Sequence, residues 1–152
     1  MMHVVVTAEP FAPAHEVARF AAVRSDQCGA LASFVGYCRG HAGESSVTAL
    51  ELEHYPGFTE REIERLAQHV STKHALDALL VIHRVGIIPA GEAIVLVAAQ
   101  SAHRANTFAA VEEMMDYLKT DAPLWKRESG PDGARWIEPT IEDYARRQEH
   151  GA

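Results

Sequence analysis

Two nearly unbroken apolar runs, Ala78 to Val85 and Ala93 to Ala99, constrain this chain more than any other feature. Each has the length of one strand, and neither approaches the roughly 20 apolar residues that a membrane span requires. They are read as buried strands joined by Gly86 to Gly91, with Pro89 inside, a connection suited to an antiparallel pair with a longer loop. Around them, β-forming stretches and helical periodicities follow one another in uneven order. His3 to Thr7 is a β-branched strand, and Pro13 opens a helix to about Val23 with Val17, Phe20 and Ala21 on one face. Cys28 to Tyr37 predicts a strand and Arg39 to Ser46 a loop. Val47 to His54 alternates as a half-buried strand, Leu50 and Leu52 facing one way and Glu51 and Glu53 the other.

Pro56-Gly57 ends that strand, and Thr59 is the expected cap of a helix with Ile63, Leu66, Ala67 and Val70 on its apolar face. A further helix starts at Ser101 or Ala102 and runs to about Lys119, with Phe108, Val111, Met115 and Leu118 as its buried stripe, and Pro123 prevents its continuation. Trp125 to Ser129 and Arg135 to Glu138 flank a Gly130-Pro131-Asp132-Gly133 hairpin turn. Strands and helices in this order predict an α+β domain with a largely antiparallel sheet and flanking helices. The expected organisation is a single domain over residues 1–138 and a polar C-terminal tail over 139–152, in keeping with a length of 152 residues.

Composition narrows the function classes. A formal net charge of -7 argues against a general nucleic-acid binder. Cys28 and Cys38, ten apart without a CxxC, indicate neither a zinc knuckle nor a disulfide framework. Met1 to Pro10 lacks the pattern of a secretory signal, so a cytoplasmic location is expected. No P-loop, GxGxxG, HExxH or GxSxG motif is present, and no metal or other cofactor is expected.

Two constellations can carry chemistry. Ser101-Ala-His-Arg lies where a buried strand gives way to a helix, so free backbone N–H groups, the helix dipole, His103 and Arg104 converge on a potential anion site; the plainer alternative is a capping His and a surface Arg. His83-Arg84, inside a strand, reads as a satisfied sheet histidine and an exposed Arg. The second constellation is Lys119-Thr-Asp-Ala-Pro-Leu-Trp-Lys126, which holds two of only three lysines in the chain. Brought together, two ammoniums depress each other's pKa and favour a free amine, although a Lys at a helix C-terminus is by itself commonplace. Lys119 ends a packed helix and has the more defined position, whereas Lys126 on a strand can adjust. The 16 residues from His103 to Lys119 span about 24 Å, so both helix ends cannot line one small pocket of one chain. Two sites, or one site shared across a two-fold axis, satisfy that length. Arg39, in a glycine-bearing loop, is a third candidate anion contact, the plainer alternative being a solvated loop Arg.

Phe34-Val-Gly-Tyr-Cys-Arg39, Leu52-Glu-His-Tyr55, His83-Arg-Val-Gly86, Gly91-Glu92, Ser101-Ala-His-Arg104, Met115-Asp-Tyr-Leu-Lys119, Ala122-Pro-Leu-Trp-Lys-Arg-Glu128 and Trp136 resemble, in order, the large catalytic subunit of molybdopterin synthase. The resemblance covers about Cys28 to Glu138 and implies an α/β-hammerhead fold. It implies sulfur transfer in molybdenum cofactor synthesis: a small ubiquitin-like subunit brings a thiocarboxylate on its C-terminal glycine, and sulfur passes to cyclic pyranopterin monophosphate to build the molybdopterin dithiolene. It further implies a homodimer core within a heterotetramer. Lys119 and Lys126 match the family's catalytic lysines, the first being the more critical. Arg39, with His103 and Arg104 from the neighbouring chain, matches the pocket for the substrate phosphate, and Phe34 and Met115 match further substrate-binding positions. Tyr37-Cys38 stands where the family commonly has Lys-Val or Thr-Val. Pro139-Thr140 stands where some members carry an Arg, with Arg135 as a speculative substitute. Two rivals remain at this level: a non-catalytic dimer binding a phosphorylated metabolite at His103 and Arg104, and a Schiff-base lyase using Lys119.

Overall fold

The computed structural model describes residues 1–151; Ala152, the last residue of the expected tail, lies outside the described residues. The elements are β1 (Met2–Thr7), α1 (Pro13–Ala22), β2 (Ala30–Tyr37), β3 (His41–Ala42), β4 (Ser45–Ser46), β5 (Ala49–His54), α2 (Phe58–Lys73), β6 (Ala78–Arg84), β7 (Gly86–Pro89), β8 (Ala93–Ser101), α3 (Arg104–Thr120), β9 (Leu124–Gly130), β10 (Gly133–Ile137) and α4 (Ile141–Gln148). This is a mixed α+β chain with two four-stranded sheets, ordered β1-β6-β8-β2 and β10-β9-β5-β7. Only the β1–β6 pair is parallel among these strand pairings.

The two apolar runs form the central strands β6 and β8 of the first sheet, paired antiparallel with Val81 opposite Val97. They are continuous because helices cover both faces. Leu79, Val81, Val95, Val97 and Ala99 pack beneath α2 and α3, against Ile63, Val70, Ala110 and Met114. The alternate residues Leu80, Ile82, Leu96 and Ala98 face Phe20 of α1. Each such aliphatic side chain, fully removed from water, contributes about 1.5–3 kcal/mol. A smaller core of Cys38, Val47, Leu50, Leu52 and Ile88 lies on the second sheet.

Several local expectations change in the structure. Gly86–Pro89 is strand β7 rather than a loop, because it completes the edge of the second sheet beside β5, with Leu50 opposite Ile88; an edge strand tolerates Pro89 at its end. Thr59 lies inside α2, where its buried hydroxyl accepts from Tyr55 N at 2.9 Å and donates to Pro123 O at 3.0 Å. The cap is Gly57, whose N–H is accepted by the Glu60 carboxylate. Strand β8 runs through Ser101, and α3 begins at Arg104 with His103 at its cap. The buried face of α3 carries Ala110, Val111, Met114 and Leu118, while Phe108 is 64% exposed and Met115 half-buried. Val111 and Leu118 of the expected stripe are buried, but Met114 takes the place given to Met115, and Phe108 points to solvent. Arg84 is buried rather than exposed, its Nη1 donating to Glu92 Oε1 at 2.6 Å.

Residues after 138, expected as a polar tail, include a capped helix docked on α3. Thr140 Oγ1 accepts from Asp143 N at 3.1 Å, and Asp143 Oδ2 accepts from Thr140 N at 2.8 Å. The other end of α4 is clamped by Arg147 Nε to Asp121 Oδ1 at 2.7 Å and by His150 Nε2 to Asp116 Oδ2 at 2.7 Å.

Candidate active site

The topology decides what meets what. Strand β8 runs toward Ser101, and α3 doubles back along the same sheet, so Lys119 returns to the end where β8 begins. Strand β2 is antiparallel to β8 and therefore delivers Tyr37 and Arg39 to that same end. A register shift between Gly36 and Tyr37 lets the chain leave the sheet there. Cys38 N donates to Glu92 O at 2.9 Å and Gly91 N to Cys38 O at 2.7 Å, which fixes the corner before Arg39. Gly91 sits at φ 91°, a conformation open to glycine without strain.

A cavity of about 280 Å³ opens at this end, with Val47, Leu50, Ile94, Leu124 and Ile137 as its apolar lining. Into it come Arg39, Lys119 and Lys126. Lys126 lies on β9 between Leu52 of β5 and Ile137 of β10, so both neighbouring strands hold it. The turn connecting the two lysines is tied down by Asp121 N and Ala122 N, both donating to Tyr117 O, and by the bond from Thr59 to Pro123.

Lys126 is half-buried and Lys119 exposed. Burial, reinforced by the nearby Lys119 ammonium, brings the Lys126 amine down to about 8, with Asp143 acting in the opposite direction. The larger cause is burial, a tertiary effect, and it falls on Lys126, the residue that sequence alone treats as the adjustable one. Behind it, burial chiefly brings His83 down to about 4, the Nδ1 contact with Arg84 O opposes, and Lys126 adds to the lowering. His83 is therefore neutral at physiological pH, the satisfied sheet histidine of the sequence reading. Burial raises the Cys38 thiol, so this pocket-lining sulfur is protonated rather than a thiolate.

His103, Arg104, Phe34 and Met115 do not line this cavity. His103 and Arg104 are exposed at the opposite end of α3, at most about 24 Å from Lys119 by helix rise. His103 makes no side-chain cap bond, so the plain capping role does not describe it. Gly29 holds that loop: its N–H donates to Ser101 O at 3.0 Å, and a Cβ there would lie 2.2 Å from Ala102 O. Phe34 is 43% exposed on β2, and Met115 packs partly against the main core. Arg135 is exposed, lies 3.5 Å from Glu128 and does not line the cavity of its own chain.

Sequence reasoning passed over Thr140 and Asp143, which line the cavity from α4, and Glu128, which lines it from β9. The signal for the first two was legible: Thr140-Ile-Glu-Asp143 has the spacing of a helix-capping box. Among the described residues, no group of three or more His, Cys, Asp or Glu side chains is arranged to hold a metal ion. No helix among them is long and apolar enough to cross a membrane.

A lysine pair and an arginine are gathered at one end of the sheet, and comparison with known proteins places the chain as a whole. Residues 6–121 match the family model described as MoaE protein. The chain is 49% identical over 142 residues to the molybdopterin synthase catalytic subunit of Caulobacter vibrioides, covering 93% of each. It is 42% identical to that of Escherichia coli K12, covering 92% of each. The solved structure of the molybdopterin biosynthesis MoaE protein from Burkholderia ambifaria superposes with a TM-score of 0.81 at 38% identity, covering all of both chains. With the fold, the order of its motifs and most of its length shared, this chain belongs to the MoaE family.

Proposed function

We propose that this chain is the catalytic subunit of a molybdopterin synthase, a sulfurtransferase of molybdenum cofactor biosynthesis acting in the cytoplasm. Its sulfur comes from the thiocarboxylated C-terminal glycine of a small ubiquitin-like partner and passes to cyclic pyranopterin monophosphate, forming the dithiolene. The observation that carries the reading is the convergence of Lys119, Lys126 and Arg39 on one cavity. Transfer forms a carbon–sulfur bond on the pterin and breaks the acyl–sulfur bond of the thiocarboxylate, whose acyl carbon takes up water and ends as a carboxylate, so the site must bind anions and also move protons. Arg39 and the exposed Lys119 ammonium supply charge for the thiocarboxylate and the phosphate. Lys126, at about 8, keeps roughly a tenth of its amine unprotonated at neutral pH and serves as the proton acceptor.

His103 and Arg104 reach the cavity from a second copy of the chain. In a two-fold dimer the far end of one α3 meets the near end of the other, and the free N–H groups at the helix start suit a dianionic phosphate. Phe34 and Met115 belong to the same substrate-binding surface. The dimer forms the core of a heterotetramer with one small partner at each end.

The test mixes the purified chain with a thiocarboxylated ubiquitin-like partner and the pterin precursor and assays dithiolene. Its formation, lost in Lys119→Ala while precursor binding persists, is the expected result. Undiminished dithiolene formation in Lys119→Ala, or none with the wild-type chain, overturns the reading. A lyase using Lys119 instead gives borohydride trapping of substrate on the chain without any partner.

A further inference from the structure

We propose that Asp143, carried to the cavity by α4, is a positioning residue that acts as the counter-charge of the Lys119–Lys126 pair. Its catalytic consequence rests on the sulfur-transfer reading above, whereas its electrostatics do not.

The geometry comes from both ends of α4. At the start, the reciprocal bonds between Thr140 and Asp143 fix the carboxylate through Oδ2, and both residues line the cavity that holds the two lysines. At the far end, Arg147 is held by Asp121 and lies over the Tyr117 ring at 4.8 Å, while His150 is held by Asp116, with its Nδ1 3.3 Å from Glu113 Oε1. Asp116 and Asp121 flank Lys119 on the chain. The helix that brings Asp143 is therefore clamped to the segment that brings Lys119, and the two cannot move independently.

A pair of ammoniums facing an apolar lining needs an opposite charge whenever no anionic substrate is present. Two other carboxylates line the cavity, but Glu128 is engaged by Arg135 at 3.5 Å, and Glu138 precedes α4 without belonging to it. Asp143 is the carboxylate whose charge acts on Lys126. Reciprocally, burial pushes the Asp143 carboxyl up, but its bonds with Thr140 and the charges of Lys119 and Lys126 outweigh this and hold it low. Arg39 and Cys38 just past β2, His41 of β3, Glu128 of β9 and Glu138 line the same cavity as Lys126, and the charge of Lys126 acts on His83 of β6. The test therefore changes one charge and leaves the shape of the cavity alone.

Competitive acetylation of the full chain across pH, read on the Lys126 peptide by mass spectrometry, reports when that amine loses its proton without partner or substrate. Asp143→Asn keeps an oxygen for Thr140 N and removes the charge. Its Lys126 midpoint is expected to fall by about half a pH unit, roughly a threefold gain in free amine at pH 7, and Asp143→Glu is expected to restore the wild-type value. An unchanged or raised midpoint in folded Asp143→Asn overturns the proposal, as does lower activity at every pH without a shift, which is the mark of a helix cap alone. Coupling between two charges is reciprocal, so NMR titration of Asp143 in Lys126→Gln must show its carboxyl rising. That measurement decides the matter even if Asp143→Asn does not fold. A shifted midpoint beside a failed dithiolene assay leaves the counter-charge standing and removes the sulfur-transfer reading.

Discussion

At the scale of residues, Lys119, Lys126 and Arg39 were legible because lysine is scarce in this chain and their motifs come in family order. Which amine is perturbed was not legible, since burial between β5 and β10 is a tertiary fact. It sets a first expectation. Lys126→Arg keeps a positive charge but cannot lose its proton, so single-turnover dithiolene formation should fall by about 10²- to 10⁴-fold. The wild-type rate should rise with pH and level off above about 8, the value at which the Lys126 amine is half free. A pH-independent wild-type rate would show that Lys126 acts through charge alone. Gly29 gives a second residue-scale expectation. The methyl of Gly29→Ala collides with Ala102 O, so the loop bearing His103 and Arg104 must move. We expect KM for the pterin to rise several-fold with kcat little changed, which steady-state kinetics separates.

At the scale of elements, α2, α3 and the segment that follows α4 meet on one buried carboxylate, the last through His150 Nδ1 at 3.3 Å. Glu113, 1% exposed, receives Tyr117 Oη at 2.6 Å, Lys73 Nζ at 2.9 Å and His74 Nε2 at 2.9 Å. Burial pushes its pKa up, but the bonds from Tyr117, His74 and Lys73 outweigh burial and hold it at about 2. A depressed carboxyl stabilises the fold fully above its unfolded value, near 4.5, and loses that contribution as pH falls toward 2. The contribution is on the order of 3 kcal/mol. Urea unfolding should thus show Glu113→Gln clearly less stable than wild type at pH 7, with the gap narrowing by pH 3; a constant gap would assign the loss to packing. This hub explains why the buried face of α3 and the docking of α4 were not legible, although the span of α3 was. An amphipathic stripe presumes one apolar face, yet α3 also buries Glu113 and Asp116, so Phe108 was assigned inward when it points out. Strands β6 and β8 were legible because their residues are buried on both faces, and β7 was missed because four residues at a sheet edge have no pattern of their own.

At the scale of the whole molecule, the length of α3 separates the two halves of the proposed site. Mixing Lys119→Ala chains with Arg104→Ala chains should restore activity, since each mixed dimer carries one site with both residues intact. No recovery despite mixing proven by native mass spectrometry would locate both halves within one chain. The order of the second sheet carries one more consequence, for the time course of folding. Strand β5 lies between β7 and β9, and its pairing of Leu52 with Lys126 joins positions more than 70 residues apart. Contacts of that span close slowly because the loop entropy comes before the reward. As the chain leaves the ribosome, β5 therefore waits with one edge open while α2, the first sheet and α3 are made, and the lysine cavity closes only when β9, β10 and α4 arrive behind them.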